Sequence, residues 1–317
     1  MKTTKKLTLI ILLKIILTVS LFSGSVSCSK NETDLPEETI LPEEIIVNVS
    51  SDSSKKATEY ANIDFSHWKI TLPVDLNNDG KPDEFQPISL INYGYQTEEN
   101  LIPFMYDDTS DRSIVFYTYP AGATTGNSSY PRTELREQQT PGNNYNNWSL
   151  IEGGILEGTL KIDSISEDNN SSRTYNRTIV MQIHGIISQE DMNTYGFSSN
   201  HAPPLLKMIW DEGYIKAYKK TLVDESTSGL DLYDDSSSTW TDISHNFGYV
   251  GFDSFSIKIT ATTGKLTIKV NNNIHFFEDV SLQKWPFENY FKAGNYLVST
   301  NTESFAYVKY YQLKVSH

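Results

Sequence analysis

Phe255-Ser-Ile-Lys-Ile-Thr-Ala-Thr-Thr-Gly-Lys-Leu-Thr-Ile-Lys-Val270 alternates apolar and polar side chains almost without a break. A period of two is the mark of a strand with one buried and one wet face, because successive side chains leave opposite sides of the backbone. Phe255–Thr260 and Lys265–Val270 therefore read as two strands, and Thr262, Thr263 and Gly264 join them as a hairpin. The same pattern recurs outward along the chain in Ser113–Tyr119, Thr178–His184 and Tyr307–Val315, each bounded by Gly, Asn, Asp or Ser. Long helical periodicity is missing, apart from short turns near Ser89 and Leu282. These features predict an all-β fold, a β-sandwich of two packed antiparallel sheets, and specifically a jelly roll. Polar loops at Asn143–Asn147, Ser188–His201 and Asp224–Thr239 are placed to wall or cover a groove. No internal repeat is present.

The N-terminus reads differently. Lys2, Lys5 and Lys6 precede an apolar run from Leu7 to Phe22 that ends in small residues, the pattern of a cleaved export signal over residues 1–27. The run is short for a membrane span and contains Lys14. Ser25-Val26-Ser27 leads into Cys28, the only cysteine, which excludes an intramolecular disulfide and resembles a bacterial lipoprotein signal with Cys28 as the lipid-bearing residue. An incidental cysteine in an ordinary signal peptide is the alternative. Residues 28–57 are acidic and polar, too poor in apolar side chains to bury a core, and read as a disordered tether. Residues 58–317 then form one large domain. The expected location is exported: an outer-membrane or cell-surface lipoprotein, or a secreted protein, with the membrane touched only through the N-terminal lipid.

A net charge of −14 argues against a nucleic-acid partner, which needs a basic surface. It does not exclude another polyanion, provided that cations gather locally in a cleft. Three segments offer such groups. In Tyr130-Pro-Arg-Thr-Glu-Leu-Arg-Glu137, strand alternation puts Arg132, Glu134 and Arg136 on one face. That trio is either a surface salt-bridge ladder or a carboxylate-binding wall in which Glu134 orients two planar guanidinium forks. In Val180-Met-Gln-Ile-His-Gly185, Gln182 and His184 share a face while Met181 and Ile183 turn to the core. The polar pair is either a hydrated sheet face or an amide donor beside an imidazole that titrates near neutrality. In Tyr290-Phe-Lys-Ala-Gly-Asn-Tyr-Leu297, Tyr290, Lys292, Gly294 and Tyr296 share a face, with Tyr296 as a phenol able to give or take a proton.

Arg132-Thr-Glu-Leu-Arg136, Gln182-Ile-His184 and Tyr290-Phe-Lys-Ala-Gly-Asn-Tyr296 together resemble, in order and spacing, the three signature regions of alginate lyases of polysaccharide lyase family 7, in the Gln-Ile-His subtype. The resemblance runs from about Phe65 to the C-terminus. It implies a jelly roll with a substrate groove across the concave sheet, and a monomer that cleaves the 1,4-bond of alginate by β-elimination. Arg132, Gln182, His184 and Tyr296 are the implied catalytic residues; Glu134, Arg136, Tyr290, Lys292 and Asn295 are the implied substrate-binding residues. Arg132 and Gln182, with His184, would hold the C6 carboxylate and stabilise enolate-like charge. Tyr296 would protonate the leaving oxygen and remove the C5 proton of one uronate epimer, with His184 as base for the other. Protein donors replace a Lewis acid in this chemistry, so no cofactor is expected. The Ile183 variant implies guluronate-containing blocks; endolytic action is the expectation, with exolytic action as the alternative. Val298 stands where the family usually continues Tyr-x-Gln.

Asp75-Leu-Asn-Asn-Asp-Gly-Lys-Pro-Asp83 has the oxygen spacing of a calcium loop, with Asp75, Asn77, Asp79 and Asp83 as weak candidate ligands. Flanking helices are missing, so a polar turn is the competing reading. Two rivals to the lyase reading remain. A non-catalytic carbohydrate-binding β-sandwich would present a similar groove. A glycoside hydrolase would need two suitably spaced carboxylates, whereas Glu134 sits between arginines.

Overall fold

The computed structural model describes residues 59–317 apart from Asn127 and Asn170; the expected signal over 1–27, Cys28 and the tether over 28–57 lie outside the described residues. One sheet contains β1 (Trp68–Thr71), β2 (Glu84–Phe85), β5 (Arg132–Glu137), β7 (Arg177–Ile186), β8 (His201–Asp211), β9 (Tyr214–Leu222), β10 (Trp240–Tyr249) and β14 (Glu288–Val298). The other contains β3 (Met105–Asp108), β4 (Ser113–Thr118), β6 (Gly154–Ile165), β11 (Phe255–Thr262), β12 (Lys265–Val270), β13 (Asn273–Glu278) and β15 (Ala306–Ser316). Their orders are β10-β9-β8-β7-β14-β5-β1-β2 and β13-β12-β11-β6-β15-β4-β3. Strands distant in sequence lie side by side, as in β7-β14-β5 and β6-β15-β4, because the chain crosses repeatedly from one sheet to the other, as a jelly roll requires. The hairpin that opens the sequence reading forms as expected: β11 and β12 pair from Ile257↔Val270 to Thr262↔Lys265, and Gly264 completes the turn with φ +75°.

Alternation places Ile70, Leu135, Ile183, Phe291 and Ala293 of the first sheet against Phe116, Ile162, Ile257, Val308 and Tyr310 of the second, all in one buried core. Each fully buried large side chain contributes roughly 1.5–3 kcal/mol of transfer free energy. Outside the sheets the described residues include the short α-helices α1 (Pro87–Leu90), α2 (Gln189–Tyr195) and α3 (Val280–Gln283). The first and third are the turns expected near Ser89 and Leu282. The second interrupts the segment expected as a plain loop. Its start is capped by Ser188, which accepts the Asp191 N–H at 3.0 Å, and its end by Gly196 in the left-handed conformation.

Strand β7 carries the irregularity that shapes the first sheet. From Gln182 to Ile179 it advances three residues, while β14 advances four beside it, from Lys292 to Tyr296, and β8 only two, from Lys207 to Ile209. Such bulges bend a sheet and increase its twist. Two devices hold the bent region from behind. The Tyr310 hydroxyl, reaching across from β15, donates to the Val180 carbonyl at 2.5 Å and accepts the Gly294 N–H at 3.1 Å. These are backbone groups that the broken ladder would otherwise leave unpaired. Gly294 has φ +132°, and a Cβ there would lie 2.7 Å from the Thr133 carbonyl oxygen, so no other residue fits.

Candidate active site

A groove of about 720 Å³ runs over the face of the first sheet turned away from the second, lined among others by Arg132, Gln182, His184, Lys292 and Tyr296. Strand register brings the three segments together. Tyr296 lies opposite Arg132, Lys292 lies between Arg136 and Gln182, and Tyr290 lies opposite His184.

Glu134 sits beneath this face, 1% exposed. Its carboxylate accepts from Lys292 Nζ at 2.5 Å, Gln182 Nε2 at 2.5 Å and Arg132 Nη1 at 3.2 Å. A residue expected to touch substrate is thus the hub that fixes three others, and its demand for donors dictates which end of the Gln182 amide faces it. Burial lowers the Lys292 pKa to about 8; Glu134 works against that shift, and Arg132 adds to it. The Arg132 guanidinium stacks 4.0 Å over the Tyr296 ring. Its Nε is the one buried side-chain polar atom without a hydrogen-bond partner among the described residues. An unsatisfied buried donor costs about 1–3 kcal/mol, so it calls for a functional explanation.

His184 departs from expectation. Its Nδ1 lies 2.8 Å from the Gly185 carbonyl oxygen, which can only accept, so Nδ1 carries the proton and Nε2 presents a lone pair. Burial, reinforced by Lys292 and Arg132, depresses its pKa to about 3. The expectation of titration near neutrality is corrected accordingly: the ring is held neutral. It stacks on Tyr290 at 5.2 Å, and Arg136 covers the Tyr290 ring at 4.1 Å. Arg136 itself is heavily committed. Nη1 donates to the Glu137 carbonyl and Asn144 Oδ1, and Nη2 to the Asn144 carbonyl and Asn147 Oδ1. Three of the four N–H groups of its terminal nitrogens therefore serve the loop at Asn143–Asn147 and the fourth its own strand, which fixes Arg136 as a wall beneath Tyr290.

Asn295, implied as substrate-binding, points the other way. Its Nδ2 donates to the carbonyls of Phe116 (2.9 Å) and Ala306 (2.7 Å) in the second sheet, and its Oδ1 accepts from Thr178 Oγ1 at 2.8 Å. The residue is a fully buried staple between the layers, as strand alternation from Tyr296 demands. The expectation is corrected on that ground.

Several groove residues escaped the sequence reading. Ser128 Oγ lies 2.6 Å from the Tyr296 hydroxyl. Arg177 and Ile179 join Gln182 and His184 on the groove although their numbering has the opposite parity, because the bulge at Val180–Met181 shifts the frame. Arg177 has no ion-pair or hydrogen-bond partner for its side chain among the described residues, and it lies opposite Val298. Lys69, Arg132, Arg136, Arg177, Lys207, Lys220 and Lys292 line the groove against Glu84, Asp235 and Asp242. The balance of charge there inverts that of the chain, which has 26 Lys and Arg against 40 Asp and Glu. In the Asp75–Asp83 segment, Asp75, Asn77, Asp79 and Asp83 accept main-chain N–H groups of the same turn at 2.8–3.1 Å. Among the described residues no group of three or more His, Cys, Asp or Glu is placed to hold a metal ion.

The sequence model of a family described as alginate lyase matches residues 63–317. An alginate lyase of Klebsiella pneumoniae is 26% identical over 287 residues, 80% of this chain and 89% of that protein. Among solved structures, the family 7 alginate lyase A1-II′ in complex with product (GGG) is 28% identical, with a TM-score of 0.62 over 81% of this chain and 97% of that one. The same enzyme in complex with substrate (GGMG) is 27% identical, with a TM-score of 0.60 over 81% and 94% of the two chains.

Proposed function

Because the chain belongs to the alginate lyase family, polysaccharide lyase family 7, we propose that it cleaves the 1,4-glycosidic bond of alginate by β-elimination, within the polymer and with guluronate-containing blocks preferred. The observation that carries this reading is the convergence of Arg132, Gln182, His184, Lys292 and Tyr296 on one groove face around a single buried carboxylate.

The C5 hydrogen of a uronate is weakly acidic because the adjacent carboxylate is already negative. Arg132 and Gln182, held by Glu134, neutralise that carboxylate and stabilise the charge that spreads into it as the proton leaves. The base takes the C5 proton, the electron pair forms the C4–C5 double bond, and the C4–O bond breaks. Tyr296 gives its phenolic proton to the departing oxygen. His184 serves as base for one epimer through Nε2, kept unprotonated by its surroundings, while the bound carboxylate raises its basicity. Tyr296 serves for the other. These donors supply the neutralisation that a metal would otherwise provide, so any calcium held at Asp75–Asp83 has a structural role.

The groove supports a polymeric substrate. Its lining extends from Lys69 on β1 across β5, β14, β7, β8 and β9 to Asp242 on β10. Six interstrand spacings of about 4.8 Å give roughly 29 Å, room for several sugar units. The guluronate preference rests on Gln182-Ile183-His184; Ile183 is buried, so its packing acts through the placement of its neighbours. Export with a lipid on Cys28 and action as a monomer belong to the same proposal.

Incubating the protein with alginate and following absorbance of the unsaturated product tests the reading; a pure binding module produces none. Tyr296→Phe is expected to lose nearly all turnover while keeping fold and binding, and normal turnover would remove Tyr296 from the mechanism. Product sizing on separate polyguluronate and polymannuronate tests block preference and endolytic action.

A further inference from the structure

Tyr296 has a neighbour that none of the three motif segments supplies. Ser128, in the loop leading to β5, places Oγ 2.6 Å from the Tyr296 hydroxyl. The same oxygen accepts the Tyr130 N–H at 3.2 Å and lies 3.3 Å from the Tyr130 carbonyl, to which it donates. The Ser128 N–H donates to the Thr125 carbonyl at 2.8 Å, so the loop is pinned on both sides of the hydroxyl. A serine has one proton and two lone pairs. One lone pair is taken by Tyr130 N–H, and the proton has two acceptors within reach: the Tyr130 carbonyl and the Tyr296 oxygen.

We propose that Ser128 is a positioning residue that holds the Tyr296 oxygen in place in both of its protonation states. While Tyr296 is a phenol, it donates to Ser128 Oγ, and the serine proton rests on the Tyr130 carbonyl. When Tyr296 is a phenolate, the serine hydroxyl turns by rotation about its C–O bond and donates to it. No proton passes between the two residues, and only the direction of the hydrogen bond reverses. A tyrosine that takes a proton from C5 and returns one to the glycosidic oxygen needs its oxygen fixed through both states. The proposal rests on the reading that Tyr296 exchanges protons with substrate.

The test is kcat and KM against pH on alginate for the wild type, Ser128→Ala, Ser128→Thr and Tyr296→Phe. A hydrogen bond to a charged acceptor is worth enough to move the acid limb of the Ser128→Ala kcat profile up by about one pH unit and to lower kcat about tenfold at the acid side. KM is expected to stay near its wild-type value, and Ser128→Thr, which keeps the hydroxyl, to restore the limb. A Ser128→Ala profile lying on the wild-type curve, with Tyr296→Phe inactive, would remove the serine and leave the tyrosine. Normal turnover by Tyr296→Phe would remove both.

Discussion

Replacing Glu134 by glutamine is the most direct trial of the view that one buried carboxylate organises the groove. The substitution keeps the shape and removes the charge. Lys292 and Arg132, each 7% exposed, would then share a buried site without a counter-charge. Removing one partner of a buried pair costs about 3–5 kcal/mol. In a domain of this size each kcal/mol moves the melting temperature by about 2–4 °C, so a fall of roughly 6–20 °C is expected. The loss should depend on pH in a defined sense. Lys292 has its pKa lowered to about 8 in the fold, with Glu134 among the groups that hold it up. Below that value the wild type has the full Lys292–Glu134 attraction, and above it the lysine is neutral and the attraction is gone. The difference between wild type and Glu134→Gln is therefore largest on the acid side of 8 and shrinks as pH rises through it. Differential scanning calorimetry of both proteins near pH 6 and pH 9, values chosen to straddle the transition, gives both readouts. Equal melting temperatures at the lower pH, or a gap that widens with pH, would refute the reasoning.

The same lysine sets an expectation for catalysis: activity should fall on the alkaline side through about pH 8 as Lys292 loses its proton. Lys292→Arg keeps the charge, so its normalised rate profile should extend to higher pH, and coincident profiles would assign the decline to another group. Asn295→Ala removes three buried hydrogen bonds. At roughly 1 kcal/mol each it should cost about 3 kcal/mol of stability by chemical denaturation and leave kcat/KM unchanged while folded. A raised KM at intact stability would return Asn295 to the groove.

Strand identity was legible because burial on one face writes itself into every second residue, and β11 and β12 appear in the sequence almost to their ends. The helix at Gln189–Tyr195 was also written there, in Ser188 three residues before Asp191 and in Gly196, but the polar composition around it hid the caps. Asn295 shows two kinds of inference in conflict. Alternation from Tyr296 assigns it to the core, whereas the family motif, read as a block, carried it to the substrate. The commitment of Arg136 to Asn144 and Asn147, and the neutral state of His184, depend on a loop and on burial that no spacing encodes. Arg177 was hidden for a sharper reason: counting by twos fails across a bulge, and nothing in Ile179-Val-Met-Gln182 announces one.

That bulge separates two properties of the binding floor that are usually entangled. Val180 and Met181 both turn into the core, so one of them is surplus to the pattern of inward and outward side chains. Shortening β7 by that single position would leave Arg177, Ile179, Gln182 and His184 all facing the groove, yet would bring β7 into step with β8 and out of step with β14 by one residue more, and so change the curve of the surface on which they stand. The contour of the trough and the chemical lettering along it are thus held by different residues. A lineage or an engineer could retune the fit to a stiffer or more kinked polymer without rewriting a single contact.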